Sequence, residues 1–286
     1  MSRYLEELSR FNATLAHPVL RVSEIHDGGE VETVNFADTF FCLDTYSCAK
    51  SYTAAAIGLL YDRGLVGLEE KVCDILADQL PASGMDERWH LMTVDMALRH
   101  SVGLPGGFLD IDQNPISVFG EDFLTYMLTY PLSYTPGEQN VYTDGAFYLL
   151  ARIAEKRAGM PVDDFLWREL FTPLGFQEAA WSRCPHGYVM GGTGLYLNSS
   201  DMVKLGELYR TGGLWRGRRI LSEKWTELTK ERGYGWSYNR GCNLLNKGGM
   251  YGQTIGVFFD QNRVIAVQGF RSDTEEIVKW TLGYED

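Results

Sequence analysis

Apolar residues at Tyr4, Leu5, Leu8, Phe11 and Leu15 fall near helical spacing and predict an amphipathic helix over residues 2–16, suited to lying on a sheet. Two alternating runs, 19–25 and 30–36, flank His26-Asp27-Gly28-Gly29 and predict a β-hairpin. From residue 47 to about 148 the pattern changes to helices and long loops, with helices expected over 47–64, 94–100 and 123–129. After about 191 strands return: 254–259 and 263–270 are apolar-rich and joined by a turn at Asp260-Gln261-Asn262, and 274–282 reads as a closing helix. Strands at both ends with helices between predict an α+β fold, its sheet built from the two termini and a helical subdomain inserted. We expect one domain over 1–286, with the sheet part at about 1–50 and 190–286 and the helical part at about 51–189.

Composition narrows the partners. A formal charge of −12 argues against nucleic acid or an anionic membrane surface, which need clustered Lys and Arg, and favours a small-molecule substrate. The five cysteines are odd in number and widely spaced without a C-x-x-C pair, so they are expected as reduced thiols. The first twenty residues have interspersed charges and no apolar stretch of signal-peptide length, and no run reaches membrane-spanning length, so a cytoplasmic location is expected. Oligomeric state is left open by the sequence.

The candidate chemistry begins at Ser47-Cys48-Ala49-Lys50, at the head of an Ala-rich helical stretch. Residues i and i+3 of a helix are neighbours, so Lys50 can reach the Ser47 hydroxyl, as in a Ser-Lys pair that activates a nucleophile. Lys50 must then be neutral part of the time, and burial, the helix N-terminus and a second cation are expected to depress its pKa. The plain alternative is an ordinary exposed helix cation. Other hydrolytic arrangements lack an anchor: there is no G-x-S-x-G elbow and no His/Cys set at zinc spacing, so no metal or organic cofactor is expected. His90 and His100 read as structural.

Two later segments follow in order: Tyr142-Thr143-Asp144 before an apolar-periodic helix, and Lys247-Gly248-Gly249 running into a strand. With Ser47-x-x-Lys50 they resemble the S-x-x-K, Y-x-N and K-[TS]-G motifs of the serine beta-lactamase and DD-peptidase superfamily. The stretches 93–107 (TVDMALRHSVGLPGG) and 191–225 also look like segments of that family, so the resemblance runs over about 40–271 and is nearest the class C beta-lactamase branch, which includes esterases, peptidases and amidases. It implies an antiparallel sheet flanked by terminal helices, with the site in the crevice between sheet and helical part. It further implies a Ser47 acyl-enzyme, Lys50 and Tyr142 as proton carriers, an oxyanion hole from the N–H groups of Ser47 and Met250, and Lys247, Gly248 and Gly249 as the strand edge beside the substrate. The alternative for Tyr142, one of sixteen tyrosines, is a core aromatic, and for the Lys-Gly-Gly run a plain turn.

Two positions depart from the pattern. Gly248 lacks the hydroxyl that helps bind a substrate carboxylate, and Asp144 replaces a neutral Asn. An ionised Asp144 beside Lys50 would raise that lysine's pKa and repel a carboxylate, so Asp144 is expected either to pair with Lys247 or to meet an amine-bearing substrate. The sequence thus predicts a serine hydrolase acting on a small ester, amide or peptide bond. A true beta-lactamase or D-alanyl-D-alanine carboxypeptidase is the alternative within enzymes, and a ligand-binding or acylated sensor with a degenerate site the alternative outside them.

Overall fold

The computed structural model describes residues 1–285. Six strands form one sheet: β1 (Arg21–His26), β2 (Glu32–Asn35), β3 (Ser237–Asn239), β4 (Leu244–Gly249), β5 (Gln253–Phe258) and β6 (Arg263–Gln268), in the order β2-β1-β6-β5-β4-β3. Every pairing is antiparallel, and β1 against β6, with Ser23 opposite Ala266, joins the N-terminal hairpin to the C-terminal strands. Five helices matter for the site: α1 (Arg3–Asn12), α2 (Ala49–Asp62), α3 (Asp144–Ala158), α4 (Ser199–Arg210) and α5 (Thr274–Leu282).

The sheet is covered on both faces, as the uninterrupted burial of β5 and β6 requires. On one side α1 and α5 bring Tyr4, Leu5, Leu8 and Ile277 onto Val22, Phe258, Ile265 and Val267. On the other, α4 lies close, because Gly206 faces Val264 where a Cβ would stand 2.5 Å from its methyl group. Helix α1 is shorter than the pattern predicts. Asn12 turns the chain there, its side chain accepting from the Val19 N–H at 2.9 Å and donating to the Val19 carbonyl at 3.2 Å. A second, three-stranded sheet of Leu43–Asp44, Leu195–Leu197 and Ala180–Trp181 was not foreseen, since strands of two or three residues are too short to show alternation.

Helix α2 is buried from Ala49 to Leu60, Lys50 included. A helix that is apolar all round belongs in a core, and its run of alanines lets neighbours approach. Gly58 is the closest approach, for a Cβ there would lie 2.4 Å from the indole nitrogen of the fully buried Trp225. Gly58→Ala should therefore destabilise the protein by about 1–3 kcal/mol through overpacking, in spite of alanine's better helix propensity of ~1 kcal/mol. A thermal melt with an unchanged or raised midpoint would show that Trp225 yields at no cost.

Candidate functional site

Ser47 lies in a single 3-10 turn, Tyr46–Cys48, that runs directly into α2. The turn is pinned from both sides. Thr45 donates both its N–H (2.8 Å) and its hydroxyl (2.7 Å) to the Leu195 carbonyl, and the Cys48 thiol donates to the Lys247 carbonyl at 3.3 Å. Gly249 seats β4 on the same turn, since a Cβ there would be 2.3 Å from the Thr45 carbonyl oxygen. The Lys247-Gly248-Gly249 run is therefore brought beside Ser47, and Met250 opens the short turn that follows it.

Lys50, fully buried, donates to the Ser47 hydroxyl at 3.0 Å, to the Gly192 carbonyl at 2.8 Å and to an Asp144 carboxylate oxygen in a short ion pair. An ammonium has three N–H donors, and all three are taken. Burial is the largest influence on Lys50 and pulls its pKa down, but the Asp144 charge and the Tyr142 oxygen outweigh it and the net shift is upward. The expected depression of Lys50 is thus corrected, and so is the expected partner of Asp144, which is Lys50 and not Lys247. Asp144 is the first residue of α3, capped by the Thr143 hydroxyl on the Gly145 N–H, where helix geometry favours an anion.

Tyr142 stands just outside α3 between the two lysines. Its ring centroid is 4.7 Å from the Lys50 nitrogen and 5.0 Å from that of Lys247, which also donates to the Tyr142 oxygen at 3.3 Å. Burial pushes the phenol's pKa up, yet the charges of Lys50 and Lys247 and a hydrogen bond with Ser47 win, and the net shift is downward. Lys247 is lowered, mainly by burial and further by Lys50's charge. The structure therefore gathers Ser47, Lys50, Tyr142, Asp144 and Lys247, which the sequence named, into one group.

His100, which the sequence left as structural, belongs to the same group. Its ring lies 4.5 Å from that of Tyr142, and burial together with the charges of Lys50 and Lys247 drives its pKa down to about 3. Its position in the stretch 93–107 was the available signal. A second addition is acidic: carboxylate oxygens of Asp110, Asp112 and Asp144 lie within 4.8 Å of one another, and Asp112 accepts from the Thr193 hydroxyl at 2.5 Å. Asp144 already spends its oxygen on Lys50, so a metal ion there would compete with that ion pair. Nearby Asp44, which accepts from the Tyr46 N–H at 2.8 Å, is pushed up to about 6, chiefly by burial and in part by the charge of Asp112.

Gly248 and Gly249 differ sharply in the room around them. A Cβ at Gly248 would meet nothing nearer than the Thr254 hydroxyl at 3.8 Å. Gly248→Thr should accordingly leave the melting curve unmoved within about 0.5 kcal/mol, whereas Gly249→Ala should lose about 1–3 kcal/mol or more as it forces β4 away from Thr45. Equal stability of the two variants would refute this packing.

The Beta-lactamase family model matches residues 25–282. Penicillin-binding protein 4* of Bacillus subtilis (strain 168) is 33% identical over 138 residues, 46% of this chain, and the chain spans only 29% of that relative's length. Among solved structures, a putative 6-aminohexanoate-dimer hydrolase from Bacillus anthracis superposes with a TM-score of 0.77 at 17% identity, covering 98% of this chain and 80% of the other. An octameric penicillin-binding protein homologue from Pyrococcus abyssi gives 0.72 at 20% identity, covering 98% and 75%.

Proposed function

Since the chain belongs to the Beta-lactamase family, we propose that it is a serine hydrolase working through an acyl-enzyme on Ser47. The observation that carries this reading is the saturated Lys50 ammonium, with the Tyr142 oxygen beside both lysines. A lysine whose three N–H groups are donated has no lone pair to offer Ser47, so the proton route runs to Tyr142. In its phenolate form Tyr142 takes the Ser47 proton as the Ser47 oxygen bonds to the substrate's carbonyl carbon. The phenol then gives that proton to the departing alcohol or amine as the scissile bond breaks, leaving the acyl group on Ser47. Deacylation reverses the roles: Tyr142 takes a proton from water, the water oxygen bonds to the acyl carbon, and Ser47 leaves with the proton returned to it. Lys50 stays charged and holds Ser47 in place, and Lys247 keeps the phenolate accessible. The N–H groups of Ser47 and Met250 are the proposed oxyanion hole, each such donor being typically worth about 10²–10³ in rate.

Specificity follows from the departures. Gly248 brings no hydroxyl to a substrate carboxylate, Asp144 neutralises one of the two lysines, and Asp112 and Asp110 add negative charge beside it. We read the substrate as a small neutral or amine-bearing ester or amide. The second reading, a true beta-lactamase or D-alanyl-D-alanine carboxypeptidase, draws on the penicillin-binding relative. The non-enzymatic reading would be an acylated sensor. Five cysteines without a disulfide fit a reducing compartment, and the cytoplasm is our proposed location; among the described residues, no helix is long and apolar enough to cross a membrane.

Ser47→Ala should abolish both p-nitrophenyl ester turnover and addition of a fluorophosphonate, read by intact mass, with folding retained. One equivalent of label on the Ser47→Ala protein would end the assignment, and labelling of the parent without turnover would favour the sensor. Tyr142→Phe should lose about 10²-fold or more in rate as a lost proton carrier, and Lys50→Ala about 10²-fold through loss of the Ser47 position.

Asp144→Asn removes the anion facing Lys50. Acylation by penicillins or cephalosporins should then improve at least about tenfold relative to simple esters, a change of ~1.4 kcal/mol, small beside the Coulomb energy of about 4 kcal/mol for adjacent charges near a protein surface. The acid limb of kcat/KM should move to lower pH, because the phenolate of Tyr142 forms more readily with one fewer negative charge nearby. The same substrate ratio and pH profile as the parent would exclude Asp144 as an electrostatic determinant.

A further inference from the structure

The hydrolytic route above, on which this inference rests, asks the phenol of Tyr142 to sit between two cations although the residue is 49% exposed and lies in a loop. Three interactions converge on that loop from a single residue. The His100 carbonyl accepts the Val141 N–H at 2.9 Å, its Nδ1 accepts the Thr143 N–H at 3.3 Å, and its ring packs at 4.5 Å on the intervening Tyr142 ring, tilted by 33°. The residues before, at and after Tyr142 are each held. On its other side the imidazole meets Phe147 of α3 at 4.9 Å, which fixes the ring plane.

The backbone supports the same conclusion. His100 has φ of 58°, a left-handed conformation unfavourable for a residue with a Cβ. It ends the helix Val94–Leu98 and turns the chain so that the imidazole faces Tyr142. Strain of this kind persists only where surrounding contacts over-determine it. We propose that His100 is the positioning residue for Tyr142, a clamp of ring packing and backbone acceptance that keeps the phenol oxygen between Lys50 and Lys247. It moves no proton itself. An acceptor at Nδ1 requires a neutral imidazole, and burial, helped by the two cations facing this corner, keeps it so. The groups that set the ionisation of Tyr142 are Lys50 on α2, Lys247 on β4 and the Ser47 hydroxyl, with Asp144 acting through Lys50.

The test is His100→Leu, which fills similar space but can neither accept a hydrogen bond nor present an aromatic face, beside His100→Phe and His100→Asn, which each restore one contact. Ester hydrolysis is followed across pH, and tyrosinate absorbance is titrated as the difference from the matching Tyr142→Phe protein. His100→Leu should lower kcat by on the order of 10²-fold, the loss expected when a reacting group is misplaced by about an ångström, with KM little changed. A phenol released from the two cations ionises at higher pH, so the acid limb of kcat/KM and the tyrosinate titration should move upward together. Phe and Asn should each recover part of the rate and show smaller shifts in the same direction. Parent-like acid limbs and tyrosinate titrations in both the Leu and Phe proteins would overturn the proposal even if activity or melting temperature fell, and should the Leu protein fail to fold, the Phe protein decides alone. A Ser47→Ala protein that still turns over esters would instead sink the hydrolytic route, so the two failures are separable.

Discussion

One buried cation organises this molecule. The Lys50 ammonium is fully enclosed, and removing an unpaired charge from water costs several kcal/mol even after relaxation. One of its three acceptors is the Ser47 turn just before it, and the other two, the first residue of α3 and the Gly192 carbonyl, come from distant parts of the chain. Each must arrive together for the charge to be tolerated. The glycines of the last segment make that possible, because a Cβ at Gly191 would stand 2.3 Å from the Phe147 carbonyl oxygen and one at Gly192 3.1 Å from Asp144. The segment can therefore press directly on α3 and aim its carbonyl at the ammonium.

That arrangement divides the chemistry. With Lys50 spent on three acceptors and Asp144 spent on Lys50, the pair serves as a rigid support, while the Lys50 charge still lowers the pKa of Tyr142 and of His100. The remaining contrast lies between Lys247 and Tyr142, a cation whose pKa burial lowers and a phenol whose pKa two cations lower. Both shifts run downward, and perturbed titratable groups gathered in one corner are the kind of arrangement found at functional sites. The fixed charge on Lys50 is the consequence of the carboxylate at position 144.

Much of this was legible in the sequence because it depends on local pattern. Alternation and turn residues marked β1, β2, β5 and β6, and helical spacing marked α1, α2 and α5, so a sheet built from the two termini with a helical insertion followed, and the motif resemblance implied its antiparallel order. Ser47, Tyr142 and Lys247 were readable as candidates from their order and their neighbours. What stayed hidden depends on which distant residue arrives at a given atom. The direction of the Lys50 shift turned on Asp144 meeting Lys50 rather than Lys247, a choice made by the packing of α3 against α2 and the 191–194 segment. His100 carried no signal beyond its place in the stretch 93–107, since its partners lie some forty residues on, and the edge strand Leu43–Asp44 owes its existence to Leu195–Leu197, with which it pairs.

The backbone outliers show why these long-range contacts are worth keeping. Tyr46, His100 and Tyr251 all have positive φ, at 47°, 58° and 62°, and each such non-glycine residue costs roughly 1–3 kcal/mol. Of the nine non-glycine residues with positive φ among the described residues, these three border the site motifs. Tyr46 immediately precedes Ser47, His100 packs on Tyr142, and Tyr251 follows Met250, while the rings of Tyr46 and Tyr251 meet edge to face at 5.2 Å. Each of the three motifs thus has a left-handed residue against it: before Ser47, packed on Tyr142 and after Met250. The strain is held by the same enclosure that stabilises Lys50: the Thr45 bonds to Leu195, the His100 contacts to residues 141–143, and the close seat of Gly249 on Thr45. A chain that relaxed any of these turns would gain local comfort and lose the convergence of hydroxyl, phenol and strand edge on one point.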